Sequence, residues 1–309
     1  PKEFLLQGGS MKVDQLINKG VALVLAAMAA SAGATEGGTS MYPAGSEAYT
    51  CCALPPPGTY GMLYYQNYQA NKAVDNAGKT VTPDGFKVRA NAVVPRFIWV
   101  PKETVLGASP VVHAIVPIVN LDVAVAPGLS QSKTGVGDIT VGAGLGWHHN
   151  ENVHSLLAFD LFMPTGSYRK ENLANIGKNH WAIAPVAGLS YIQKSGLNAD
   201  MQHMVIFNGR NSDTDYKSGV EWVMEYALGW GMGNGWTVGV GGYWYQQLTN
   251  DKQHGASLPG SKGRTLAIGP AIRYDSGKGW FFTAKYETET QVRNRSDGRS
   301  FWLRGVYSF

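Results

Sequence analysis

The chain has 309 residues, a net charge of +4, 44% hydrophobic and 16% charged residues. The charged fraction lies below the roughly 25% of ordinary globular domains. With 39 glycines, 11% aromatics and a mean hydropathy of −0.15, the composition excludes a bundle of apolar membrane helices. It suits strands that alternate lipid-facing and water-facing residues. The scattered positive charge is too small for a nucleic-acid footprint, and no nucleic acid is expected.

Met11 and Lys12 open a basic stretch with Lys19, followed by an apolar run over 21–30 and the string Ser-Ala-Gly-Ala. That run is too short to span a bilayer, and Ala32 and Ala34 form an A-x-A cleavage site. Residues 11–34 therefore read as a secretory signal peptide, with a mature chain starting near Thr35. Residues 1–10 read as an over-extended start or a cloning remnant. Residues 35–57, rich in Gly, Ser and Ala and ending in three prolines, cannot be a strand. They read as a periplasmic lead or a plug folded into a lumen. Within them, Cys51 and Cys52 are adjacent. A vicinal disulfide, an intermolecular bridge and no function at all remain open.

From Thr59 onward, twelve extended segments are predicted: 59–69, 86–100, 111–125, 138–148, 153–163, 180–193, 197–208, 219–230, 236–248, 264–275, 280–290 and 300–309. Each is near the 9–11 residues that cross a bilayer when tilted. Several alternate with period two. Trp222, Met224, Tyr226, Leu228 and Trp230 oppose Glu221 and Glu225; Phe282, Ala284 and Tyr286 oppose Lys285, Glu287 and Glu289. Leu303, Phe301, Tyr307 and Phe309 oppose Arg304 and Trp302. A terminal aromatic such as Phe309 is expected to sit in the interfacial girdle and mark the last strand for the barrel-assembly machinery. Gaps after the fourth, sixth, eighth and tenth segments are short. Those after the odd-numbered segments are longer and polar, although 101–110 breaks the rule. Trp147, Trp181, Tyr191, Trp230, Trp236, Trp244, Trp280 and Tyr307 gather at segment ends, as interfacial girdles require. The pattern predicts an all-β, transmembrane, antiparallel up-and-down β-barrel of about 12 strands, embedded in outer-membrane lipid. Closure is required because an open edge in hydrocarbon leaves backbone groups unpaired.

No catalytic set and no metal site is expected. His148 and His149 are strand neighbours whose rings point to opposite faces. His113, His154, His180 and His203 lie in separate segments, and no serine motif singles itself out for nucleophilic chemistry. Gly135-Val136-Gly137 reads as a turn, with no helix following to make it a phosphate loop, and no cofactor is expected. Lys87, Arg89, Asp122, Asp160, Glu221, Glu225, Arg273, Lys285, Glu287 and Arg304 are predicted to line the lumen. There they either border a wet path or pair off in a filled interior.

Five strings carry a family resemblance: Pro55-Pro56-Pro57-Gly58-Thr59-Tyr60, Gly135-Val136-Gly137-Asp138-Ile139, Pro164-Thr165-Gly166-Ser167-Tyr168, Leu173-Ala174-Asn175-Ile176-Gly177 with Asn179 and Trp181, and Thr214-Asp215-Tyr216-Lys217-Ser218-Gly219. In this order the chain resembles the outer-membrane barrel family described as components of the meta-pathway of phenol degradation. The resemblance implies a channel or transporter for small aromatic or other hydrophobic solutes. The alternatives from a different class are an outer-membrane lipid hydrolase or acyltransferase and a closed structural barrel.

Overall fold

The computed structural model describes residues 34–308. The predicted upstream extension, the signal peptide up to residue 33 and Phe309 lie outside the described residues. Strands follow one another along the chain as β1 (Gly58–Val74), β2 (Lys87–Val100), β3 (Ser109–Ile115), β4 (Ile118–Ala126), β5 (Leu129–Val136), β6 (Ile139–His148), β7 (Val153–Met163), β8 (Ala182–Tyr191) and β9 (Ser195–Asn208). Then come β10 (Tyr216–Lys217), β11 (Glu221–Met232), β12 (Trp236–Gln247), β13 (Lys252–Gln253), β14 (Ala256–Ser257), β15 (Arg264–Asp275), β16 (Trp280–Arg293) and β17 (Arg295–Ser308). Antiparallel ladders link neighbours all the way round, and β1 pairs with both β17 and β2, which closes the sheet.

Twelve strands make the wall, because β3 with β4 and β5 with β6 are each one strand interrupted midway. β2 pairs with β3 over residues 96–99 and with β4 over residues 87–93. Pro117, which has no N–H to donate, sits at the first interruption, and Gly137-Asp138 at the second. The small sheet of β10, β13 and β14 belongs to two loops at the end opposite the short turns.

The two faces are partitioned inversely to those of a water-soluble sandwich. Leu157 is 56% exposed, Phe97 55% and Trp230 59%, all on the outward face, while Glu221 and Glu287 are 0% exposed on the inward face. A protein folded in water buries its apolar face. Here hydrocarbon must be the outer solvent, and closure supplies the backbone pairing it demands. At the short-turn rim Trp236, Tyr274 and Phe282 stand side by side on consecutive strands, with ring centroids 4.9 Å and 6.0 Å apart. This is the girdle expected where lipid headgroups begin.

Two predicted loops are strand instead. The connection after the third segment is a hairpin, β4–β5, turning at Pro127-Gly128, so Gly135 and Val136 belong to a strand rather than a turn. The connection after the eleventh is a single residue, Asn294, with φ 51°. Both hairpins prolong the wall at the long-loop end.

Candidate permeation pathway

Residues 34–57 run through the lumen from the long-loop end to the short-turn end, where β1 begins. Ala34 N–H donates to Asn294 O at 2.9 Å, and Glu36 accepts from Asn211 Nδ2 at 2.8 Å and from Thr214 Oγ1 at 2.6 Å. Halfway down, Glu225 of β11 accepts from Glu47 N–H at 2.8 Å and from Tyr42 O–H at 2.9 Å. Lower still, Cys51 N–H donates to Asp200 at 3.1 Å and Cys52 N–H to Ser190 at 3.1 Å. Both thiols are free, with their sulfurs 2.7 Å apart.

The centre of this arrangement is Glu47. Its carboxylate is ion-paired with Arg304 of β17 and with Arg96 of β2, the latter at 3.2 Å, and it accepts from Tyr64 O–H at 2.8 Å. Its carbonyl accepts from Lys285 Nζ at 2.7 Å, and Lys285 in turn pairs with Glu287 at 2.8 Å. Charges taken out of water are tolerable only when paired and hydrogen-bonded. The segment supplies the partners that the inward-facing wall charges need.

Of the ten predicted lumen residues, Asp160, Glu221, Glu225, Arg273, Lys285, Glu287 and Arg304 are buried. All seven lie on the inward face. Lys87, Arg89 and Asp122 do not. Lys87 and Arg89 share parity with the exposed Val93, Phe97 and Trp99, while Val94 and Arg96 line the interior. Asp122 pairs in register with Arg89 and so looks outward too. The outward neighbours Asn67, Asn91, Asn120 and Thr134 are also polar and in register. A charge on the outward face is tolerable where it meets water, which assigns this band to the part of the wall beyond the hydrocarbon.

Between the amino-terminal segment and the wall of β2, β3 and β6–β9 lies a cavity of about 120 Å³. Ile115, Leu156, Ala158, Phe162, Val186 and Met204 give it an apolar side, and Arg96, His113 and Asp160 a polar one. It reaches Pro117 and Asp138 at the interrupted wall strands. His113 Nε2 and Asp160 Oδ1 are 3.0 Å apart, yet they stand on strands that are not adjacent. They meet because Gly142 of β6 is in register with both and has no side chain to keep them apart. A Cβ at Gly142 would collide with both groups. Gly142→Ala is therefore expected to break the pair and to cost about 1–3 kcal/mol as an overpacked site. Urea titration of vesicle-folded protein reads the loss; Gly305→Ala, whose Cβ meets open space, is the control and should leave the midpoint unmoved.

Four of the five strings that carry the resemblance converge on two places, and the string over residues 55–60 opens β1 at the short-turn end. Asp138 accepts from Gly166 N–H at 2.8 Å and from Lys178 N–H at 2.7 Å, which binds the loop after β7 to the interrupted strand. Gly166 and Gly177 meet backbone to backbone there, and Ala174 N–H donates to Gln131 on the unpaired edge of β5. Thr214 and Ser218 hold Glu36 of the amino-terminal segment at the long-loop end, and Gly219 N–H donates to Asp251 beside them.

The remaining sequence candidates resolve differently. His148 and His149 do point apart, but His148 Nδ1 lies 2.7 Å from His154 Nδ1 on the opposite strand. His149 Nε2 lies 2.7 Å from Ser155 Oγ at the short-turn rim. Among the described residues no group of three or more His, Cys, Asp or Glu could hold a metal.

A closed twelve-stranded antiparallel barrel with an apolar outer face and a charged, threaded lumen defines an outer-membrane β-barrel. The model of the family described as "Putative MetA-pathway of phenol degradation" matches residues 70–305, and the chain belongs to that family. No curated protein matches it in sequence. Among solved structures it is similar to an outer membrane channel from Pseudomonas putida F1, at 20% identity and a TM-score of 0.74, over 83% of this chain and 97% of that one. The beta domain of a Bordetella autotransporter aligns at 13% identity and a TM-score of 0.50, over 82% of this chain and 100% of its own. The transport unit of an Escherichia coli autotransporter aligns at 10% identity and a TM-score of 0.50, over 82% and 90%. At these identities the likeness is one of fold.

Proposed function

We propose that this protein is an outer-membrane channel that takes up small aromatic or hydrophobic compounds, with residues 35–57 as a plug that narrows the passage. The cavity beside that segment carries the reading. Its 120 Å³ compares with the roughly 150 Å³ apolar cavity that admits one benzene molecule. The apolar side suits a ring, and the Arg96–His113–Asp160 side suits one polar substituent. Mixed linings of this kind orient small ligands in concave sites.

The test is tracer flux into proteoliposomes. Phenol and benzoate should enter faster than a sugar of similar mass, relative to protein-free vesicles. Equal rates for all three, or rates no higher than the bare vesicles, would contradict the proposal. A hydrolase reading would rest on Ser155 and His149. That pair has no carboxylate partner among the described residues to orient the imidazole, so channel function is the better supported.

A further inference from the structure

Thr35 N–H lies 3.1 Å from Asp251 Oδ2 at the long-loop end of the lumen. Asp251 is 0% exposed. Its carboxylate also accepts from Gly219 N–H at 2.7 Å, from Gln247 Nε2 at 2.6 Å and from Tyr216 O–H. The site is built from two loops and the end of β12, and Ser261 fixes the Asp251 backbone at 2.8 Å. All these donors are neutral. Among the described residues no lysine, arginine or histidine is ion-paired with Asp251. A buried carboxylate without a counter-charge is expensive.

We propose that hydrolysis of the Ala34–Thr35 bond supplies the missing cation: the new α-ammonium of Thr35 pairs with Asp251 and latches the plug to the outer mouth. Two further observations support this. Ala32-Gly33-Ala34 is the A-x-A string that places a leader peptidase cut after Ala34. Thr35 has φ 68°, a left-handed conformation that a β-branched residue resists. That torsion is defined by the carbonyl carbon of Ala34, so cutting the bond abolishes the constraint. Burial also pushes the Asp251 carboxyl above its ordinary range, as expected of a group awaiting a positive partner.

The chemistry balances with water alone. The hydroxyl goes to the Ala34 carbonyl carbon, which leaves as a carboxylate, and Thr35 keeps the amine. An α-amine titrates near 7.7–8.0, so it takes up a proton at neutral pH. Ala34 is 0% exposed, so the peptidase must act before the barrel closes around it. The inference rests on export of the chain, not on what the channel carries, so the flux result above does not bear on it.

Protein extracted from outer membranes should begin at Thr35 by intact mass and amino-terminal sequencing. A start at any other residue overturns the proposal. Acylation of the α-amine by an N-hydroxysuccinimide ester at pH 7 should be at least about tenfold slower in the folded barrel than after denaturation. That factor is what one unit of pKa elevation by ion pairing produces. Equal rates in the two states overturn the latch. Asp251→Asn should bring the folded rate up towards the denatured one; a variant that stays fully protected also overturns it. If that variant does not fold, the wild-type contrast still decides.

Discussion

Removing residues 35–54, so that the mature chain starts at Pro55, should raise single-channel conductance in planar bilayers by about an order of magnitude, since a twelve-stranded wall alone encloses more than a filled core. The excised residues occupy the axis of the lumen, from Glu36 among the loops to Cys52 against Ser190. The wall should survive the deletion. Its strands are laddered to one another without the segment, which contributes no strand to the sheet. Glu225, Lys285 and Arg304 would then be solvated rather than stranded, because water enters as the segment leaves. An unchanged conductance would mean that the segment is not the obstruction.

The second large effect is expected from Glu47→Ala. With the segment still in place, Arg304 and Arg96 lose the carboxylate that neutralises them, and both stay in a confined space. Breaking a buried pair from one side costs about 3–5 kcal/mol. The cost should appear as a lower melting temperature, and as conductance flickering while the segment comes loose. The double variant Glu47→Ala/Arg304→Ala should be less destabilised than the sum of the two single variants, since contacting charges couple. Additive losses would show that the pair is not a unit.

The strands were legible because bilayer-depth residues must alternate between oil and water. Val153–Met163 and Trp280–Arg293 carry that alternation openly. It stops where the wall rises above the lipid, since both faces then meet water. Residues 129–136, 291–293 and 295–299 are largely polar and read as loops, although they belong to strands. Lys87, Arg89 and Asp122 read as lumen residues for the same reason: polarity marks the inside only within the hydrocarbon. The His113–Asp160 pair left no local signal, since it depends on two registers and the bare Gly142 between them. The seat for Glu36 is equally silent, because its donors come from two separate loops, Tyr168 from one and Asn211 and Thr214 from the other. The glycine strings showed that something was fixed there, but not what they held.

A wall with an even number of strands returns the chain to the side from which it started. The threaded segment undoes that symmetry. Residue 34 is hydrogen-bonded to Asn294 at one mouth of the cylinder, whereas residue 308 faces Tyr60 at the other. One polypeptide thus presents its early residues at the long-loop mouth and its late ones at the short-turn mouth. Residues 34–57 therefore join the two mouths covalently, by a path that passes through no strand of the wall.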